Sequence, residues 1–99
     1  MVATRFRTHP GEVLELDFIK RRGLTADRVA RDTGLSKRRM DEIIGGRRPM
    51  TAETSLRLGR YFGISDRFWL RLQTDYDMTM ERRRLATRLE SVVVLGESR

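Results

Sequence analysis

Glycines followed closely by hydroxyl residues divide the middle of this chain into short segments. Gly23, Gly34 and Gly63 are each followed two positions later by a threonine or a serine. Glycine favours the end of a helix because it readily adopts the left-handed conformation. Serine and threonine favour the start of the next helix because their hydroxyls accept a hydrogen bond from its first turn. The pattern therefore predicts a series of short helices joined by tight turns.

Apolar residues recur at helical spacing inside these segments, for example Met40, Ile43 and Ile44 at i, i+3 and i+4. The expected helices run from Pro10 to Gly23, Thr25 to Gly34, Ser36 to Gly45-Gly46, and Thr51 to Gly63, with a fifth capped by Ser65 and a sixth capped by Thr79. The sequence thus predicts an all-α protein, a compact bundle of five or six short helices. Residues 1–8 lack a periodic pattern, and we expect a flexible basic arm there.

The expected core is the apolar side of each helix. Its members are Val13, Leu14, Leu16, Phe18, Ile19, Val29, Ala30, Met40, Ile43, Ile44, Leu56, Leu58, Tyr61, Phe62, Phe68, Trp69, Leu70, Leu72 and Tyr76. Exposed aromatic residues can also stack on nucleic-acid bases, which is an alternative for Trp69 and its neighbours. We favour the core interpretation because the residues form a helical stripe.

The charge of the chain favours a polyanionic partner. Its net charge is +7, and residues 1–50 contain 12 basic and 7 acidic side chains, so most of the excess lies in the first half. Nineteen of the 21 basic residues are arginine, which suits phosphate oxygens and guanine edges, although a GC-rich genome would also enrich it. A membrane surface would require a long basic amphipathic helix, and none is evident.

Several other classes are disfavoured by the sequence. It contains no cysteine, which excludes disulfides and thiolate metal sites. No apolar stretch approaches the roughly 20 residues of a transmembrane helix, and the N-terminus lacks the apolar core of a signal peptide. We therefore expect an intracellular, cytoplasmic protein without a cofactor or a metal.

The segment from Thr25 to Ile44 has the pattern of a helix-turn-helix, in which the second helix enters the major groove of DNA. Gly34 can adopt the positive φ that a short turn between crossed helices requires. If Met40, Ile43 and Ile44 are buried, then Arg38 and Glu42 point outward.

Two acidic residues, Asp41 and Glu42, follow the basic start of this helix, although acids repel phosphates. One explanation is that an acid accepts a hydrogen bond from cytosine and so selects a base. Another is that Asp41 pairs with Arg38 or Lys37 and orients it. A third is that both are ordinary solvated surface residues. The sequence leaves the three open.

The residues after this helix, Gly45-Gly46-Arg47-Arg48, are suited to a phosphate backbone, because glycines permit a close approach and arginines bind phosphate oxygens. A helix end with ordinary surface arginines is the alternative. The expected base contacts are Lys37, Arg38, Asp41 and Glu42, and the expected phosphate contacts are Thr25, Ser36, Arg39, Arg47 and Arg48.

Residues 9–78 resemble the HigA-type antitoxins, which are also known as VapI-like addiction-module antidotes and belong to the lambda-repressor-like superfamily. The matching stretches are HPGEVL, GLTADRVARDTGLSKRRMDEIIGGRRPMTAETSLRLGRYFGIS and FWLRLQTDYDM. The resemblance implies a dimeric protein that binds operator DNA and represses its own operon. It also implies direct neutralisation of a RelE-like, mRNA-cleaving toxin. Lys37 and Arg38 match the base-contacting start of the recognition helix, and Arg47 and Arg48 match residues that face phosphates.

The chain departs from this family at three places. Gly45 stands where asparagine is common, and Ala26 stands where related repressors often carry a phosphate-binding glutamine. The residues after Met80 match no family pattern. Within this segment, 79–99, Leu85, Leu89, Val92 and Val93 form an apolar stripe, while Val92–Leu95 could instead form a short strand. We expect the stripe to serve dimerisation, with core closure and toxin contact as alternatives.

Catalysis has little support in the sequence. The single histidine, His9, precedes Pro10 at a helix start, where a capping role is expected, and no nucleophile–base pair accompanies it. We therefore expect a protein that is not an enzyme. Two alternatives to a repressor and antitoxin remain open. One is a stand-alone helix-turn-helix regulator, and the other is a protein-interaction module that has lost its affinity for DNA.

Overall fold

The computed structural model describes residues 9–96, so the expected basic arm at residues 1–8 lies outside the described residues. The first helix, α1, begins as an α-helix at Pro10–Val13 and continues through a π-helical turn at Leu14–Ile19 and a 3-10 turn at Lys20–Arg22. It is followed by α2 (Ala26–Thr33), α3 (Lys37–Ile44), α4 (Ala52–Phe62) and α5 (Phe68–Leu85), and then by a 3-10 helix at Ala86–Ser91. No strand occurs in this range, which confirms the all-α prediction. Of the helices described, none combines the length and the apolar character needed to cross a membrane.

Local capping signals set most of the helix boundaries. The hydroxyl oxygens of Thr25, Ser36 and Thr51 accept hydrogen bonds from the backbone N–H three positions later, at 3.1, 3.0 and 3.3 Å. Gly23, Gly34 and Gly63 follow helix ends with φ angles of 67°, 80° and 69°. These boundaries confirm the division of the chain that the sequence predicted.

The predicted starts of the last two helices were wrong. Ser65 accepts a hydrogen bond from the N–H of Arg67 at 3.2 Å, which fixes a turn before α5 rather than the helix itself. Thr79 lies inside α5, because the residues around it are mostly good helix formers without glycine or proline. Val92 has an extended backbone after the 3-10 helix, and Val92–Leu95 do not form a strand.

The core is formed by one side of every helix. The residues with no exposed surface include Leu14, Val29, Met40, Ile43, Leu58 and Trp69. Trp69 lies in an aromatic cluster, with its ring centroid 4.7 Å from that of Phe18 and 4.9 Å from that of Phe68. Trp69 is therefore part of the core, as predicted, and is not available to stack on bases.

Three leucines assigned to the core are exposed instead. Leu16, Leu56 and Leu70 retain 44%, 53% and 36% of their accessible surface. Leu16 and Leu56 each lie two positions from a fully buried leucine, and two positions correspond to about 200° around a helix. A helix that packs on one side cannot bury both, so the prediction failed at these positions.

A buried glutamine connects α5 to the segment that follows α3. Gln73 is 5% exposed, and its Oε1 accepts a hydrogen bond from the N–H of Met50 at 2.8 Å. Its Nε2 donates to Asp77 at 2.9 Å. Both ends of the side-chain amide are thus paired, which removes the cost of burying it. Gln73 thereby fixes the chain where it leaves the helix-turn-helix.

The start of α1 lies directly on the end of α3. A Cβ atom on Gly11 would lie 1.7 Å from the carbonyl oxygen of Ile43, so only glycine fits at this position. The contact sets the distance between α1 and the predicted recognition helix.

We expect Gly11→Ala to destabilise the fold by about 3 kcal/mol, because the added methyl group forces the two backbones apart. Gly23→Ala is the control: a Cβ there meets no atom within 4 Å, and only the positive φ of 67° opposes it, a cost of about 1 kcal/mol. Urea unfolding of both variants measures the difference. Equal losses would contradict the described contact between α1 and α3.

His9 caps α1, as the sequence predicted. Its Nδ1 accepts a hydrogen bond from the N–H of Gly11 at 2.9 Å, and its ring packs edge-on against Tyr76 at 5.2 Å. Burial lowers the pKa of His9 below its ordinary value of 6.5, and the negative charge of Asp77 opposes this shift. A neutral imidazole is also what the cap requires, because a protonated Nδ1 cannot accept a hydrogen bond.

The lowered pKa of His9 predicts that the fold weakens in mild acid. Because the unfolded histidine binds a proton more readily, its contribution to stability is complete above pH 6.5 and is lost as the pH falls below that value. Urea unfolding between neutral pH and pH 5.5 should show a loss in the parent protein that His9→Asn, which can cap without titrating, lacks. The same pH profile in both proteins would contradict this role.

Candidate nucleic-acid interface

The turn between α2 and α3 is fixed by hydrogen bonds from both sides. The hydroxyl of Thr33 donates to the carbonyl of Val29 at 2.7 Å and accepts from the N–H of Leu35 at 3.4 Å. Arg57 on α4 donates to the carbonyl of Thr33 at 2.8 Å. These bonds hold the three-residue turn, in which Gly34 has positive φ, and so fix the direction in which α3 leaves it.

The orientation of α3 matches the expectation at Arg38 but not at Glu42, which was also expected to point outward and whose side chain is only 22% exposed. Met40 and Ile43 are fully buried and Ile44 is half-buried. The Arg38 side chain is 86% exposed and the Lys37 side chain is 67% exposed. The basic first turn of α3 is therefore accessible to a partner.

Lys37 lies between two acidic residues. Its Nζ is 3.1 Å from Oδ1 of Asp27 on α2 and 3.4 Å from Oδ2 of Asp41 on α3. The hydrogen bonds to Asp27 and then Asp41 raise the pKa of Lys37, so the ammonium stays charged. Asp41 thus pairs with Lys37 rather than with Arg38. The contribution of Asp27 was not predicted, because residues in different helices carry no spacing signal.

Glu42 holds two arginines, and its side chain is only 22% exposed. Its Oε2 accepts a hydrogen bond from Nε of Arg38 at 3.2 Å, and its Oε1 accepts one from Nε of Arg48 at 2.8 Å. Nη2 of Arg48 lies 2.7 Å from the same Oε1 as part of the ion pair. Arg48 first, and then Arg38, holds the pKa of the Glu42 carboxyl below its ordinary value. Each carboxylate oxygen of Glu42 therefore accepts a hydrogen bond from an arginine in this structure.

A second carboxylate joins α3 to α4. Glu53 accepts from Nη2 of Arg39 at 2.8 Å and from Nε of Arg57 at 3.0 Å. Arg39, an expected phosphate contact, is consequently only 27% exposed. Sequence analysis missed Glu53 and Arg57, although their i, i+4 spacing was a usable signal.

The other expected phosphate contacts surround α3. Thr25 and Ser36 are exposed, and their hydroxyl oxygens cap α2 and α3. A hydroxyl that accepts a hydrogen bond retains its own proton, which it can donate to a phosphate oxygen. Arg47 is also exposed, and within residues 9–96 it forms no ion pair.

The two departures from the family pattern that lie in the helix-turn-helix region, Ala26 and Gly45, have different surroundings. Ala26 is half-buried at the start of α2 and packs against the core. Gly45 has the helical angles φ −77° and ψ 0°, so its backbone does not require glycine. A Cβ at Gly45 would lie 2.5 Å from Nη1 of Arg47, which is the end of a flexible side chain.

The predicted C-terminal stripe remains largely uncovered. Leu85 is half-buried, whereas Leu89, Val92 and Val93 are 47%, 64% and 88% exposed. The described chain measures 53 × 25 × 23 Å, and its radius of gyration of 16.5 Å exceeds the value of about 13 Å for a compact domain of this size. The core-closure alternative for this stripe was therefore wrong.

Within the described range, no group of three histidine, cysteine, aspartate or glutamate side chains could hold a metal ion.

Two short helices joined by a three-residue turn, with an exposed basic start on the second, define a helix-turn-helix protein of the phage-repressor type when they pack with the α1, α4 and α5 helices of the described chain. No protein-family model matches the sequence. Virulence-associated protein I of Dichelobacter nodosus is 44% identical over 72 residues, which cover 73% of this chain and 67% of that protein. The chain therefore belongs to the VapI-like, HigA-type family of addiction-module antitoxins.

Solved structures agree with this assignment. A HigA-family antidote protein from Coxiella burnetii has a TM-score of 0.82 at 32% identity, covering 90% of this chain and 97% of that one. The Pseudomonas aeruginosa antitoxin HigA, solved with the higBA promoter, has a TM-score of 0.83 at 28% identity, covering 89% of this chain and 96% of that one.

Proposed function

We propose that this protein is a homodimeric antitoxin that binds operator DNA, represses its own operon and neutralises a RelE-like, mRNA-cleaving toxin by direct contact. The observation that carries the DNA-binding part is the exposed basic first turn of α3, in a fold shared with an antitoxin that was solved with promoter DNA. An operator-binding protein works where the chromosome lies, in the cytoplasm.

In this proposal α3 enters the major groove, and Lys37 and Arg38 reach the base edges. Asp41 and Glu42 lie beside them on the same helix. Exposed Arg47 and the hydroxyls of Thr25 and Ser36 contact phosphates around the groove, assisted by Arg39 and Arg48. The acidic residues lower the affinity for phosphates in general, so that binding depends more on the base contacts.

The proposed repressor should bind its own upstream DNA specifically and with a steep salt dependence. Mobility shifts of that DNA and of random duplex, each at two salt concentrations, measure both properties. Arg47→Ala should weaken binding to both DNAs and reduce the salt slope by about 1, because one phosphate contact is lost. Arg82→Ala, with the same charge change near the end of α5, is the control.

Equal and weak binding to both DNAs would overturn the repressor proposal. It would favour the alternative of a protein-interaction module whose helix-turn-helix has lost its affinity for DNA.

The C-terminal stripe is our proposed dimer interface. Leu89, Val92 and Val93 are exposed apolar residues in, and directly after, the 3-10 helix that follows α5. Burying them against a second copy would remove this apolar surface from water. A two-fold dimer would also match the two half-sites of a palindromic operator.

We expect the parent protein to sediment as a dimer at micromolar concentration and Leu89→Asp to sediment as a monomer, because a charge cannot be buried unpaired in the interface. Leu16→Asp is the matched control, since Leu16 on α1 is 44% exposed and Leu89 is 47% exposed. A Leu89→Asp protein that remains dimeric would place the interface elsewhere.

The alternative is a stand-alone regulator of the same fold without a toxin. The two functions differ in genome context and in complex formation. A short reading frame for a RelE-like toxin beside this one, and a product that co-purifies with this protein, would support the antitoxin function. Without such a neighbour, the stand-alone regulator is favoured.

A further inference from the structure

The backbone after α3 returns to Glu42. The N–H groups of Arg47 and Arg48 both donate to the carbonyl oxygen of Glu42, at 2.8 and 3.2 Å. The turn passes through Gly46, whose φ of 78° is left-handed. It therefore places Arg48 beside the carboxylate of Glu42 by backbone geometry, and the side-chain ion pair follows from that placement.

The same carboxylate holds Arg38 at its Nε atom. Within residues 9–96, Nε is the only atom of this guanidinium that forms a hydrogen bond, and the side chain is 86% exposed. The terminal pair, Nη1 and Nη2, remains available. These two nitrogens form a rigid fork that fits the O6 and N7 acceptors of guanine.

We propose that Arg38 reads a guanine in each operator half-site and that Glu42 is the positioning residue that holds its guanidinium ready. The inference rests on the proposed operator-binding function and adds the identity of one base. Glu42 acts through Arg38 and does not itself contact a base.

Limited exposure and pairing with two arginines argue against Glu42 as a cytosine acceptor. Its side chain is 22% exposed, while Arg38, one turn earlier, is 86% exposed. To turn toward a base edge, the carboxylate would have to move from the position in which it pairs with Arg38 and Arg48. Keeping both ion pairs avoids the loss of that pairing. It also fixes the position of Arg38, the expected base contact, relative to Arg48, the expected phosphate contact.

Lys37 does not provide an equivalent readout. Its ammonium is shared between Asp27 and Asp41, and a lysine has no planar fork. At a base edge Lys37 therefore offers a single charged group, whereas the fork of Arg38 provides the selectivity for guanine.

The first experiment selects binding sites from a randomised duplex library with the full-length protein. The enriched half-site should contain a guanine that is lost from the sites selected by Arg38→Ala. Replacing that guanine by 7-deazaguanine, which lacks the N7 acceptor, should weaken binding of the parent protein by about tenfold. The same replacement should leave the affinity of Arg38→Ala unchanged. Circular dichroism checks that this exposed substitution preserves the fold.

The second experiment tests the positioning role of Glu42. Glu42→Gln should strengthen binding to random duplex, because a negative charge is removed, and should reduce the 7-deazaguanine penalty, because Arg38 is no longer held. Asp41→Asn removes the same charge from the neighbouring acid, which pairs with Lys37. It should also strengthen random binding but keep the full penalty.

The outcomes separate the inference from the proposed function. An enriched half-site without guanine, or a 7-deazaguanine penalty that persists in Arg38→Ala, would overturn the guanine assignment while operator binding stands. A full penalty in Glu42→Gln would overturn the positioning role. A library in which no sequence is enriched would overturn the proposed operator binding together with this inference.

Discussion

The close approach of α1 to α3 at Gly11 is the contact on which the rest of this structure depends. A backbone without a side chain lies against the carbonyl of Ile43, at the end of the helix proposed to enter DNA. His9 caps α1 immediately before this contact and also packs against Tyr76 of α5. The N-terminal turn therefore links α3 to the longest helix. A change at either residue would alter the position of α3 without touching its outer face.

The parts of the fold that sequence analysis predicted are those determined by short-range chemistry. A hydroxyl at Ser36 and a glycine at Gly34 interact with backbone within three residues, so their effect can be read directly from the sequence. Thr79 carries the same capping signal, but the helix-forming residues on both sides outweigh it. The exposure of Leu56 depends on which side of α4 packs against the other helices, and residue spacing within α4 does not determine this tertiary contact.

The candidate DNA-binding site also combines features that residue spacing predicts with features that depend on tertiary structure. The outward direction of Arg38 followed from the helical period. A role for acidic residues in orienting basic side chains was among the predictions. The partners were harder to assign. Arg38 pairs with Glu42 across one helical turn, but Arg48 reaches the same carboxylate only because the turn through Gly46 brings it back. A chain reversal of this kind is not visible in residue spacing, and neither is the pairing of Lys37 with Asp27 on another helix.

The acids on the recognition helix of a basic protein have a physical rationale. A chain with a net charge of +7 already attracts DNA of any sequence, and adding free arginines would increase that attraction without discrimination. An arginine held at one nitrogen by a carboxylate loses side-chain freedom before binding, so less entropy is lost when it meets a base. The carboxylate also offsets part of the attraction to phosphates. If Arg38 reads a base as we propose, its pairing and that of Arg48 with Glu42 exchange general affinity for selectivity, in a helix too short to gain selectivity from many base contacts.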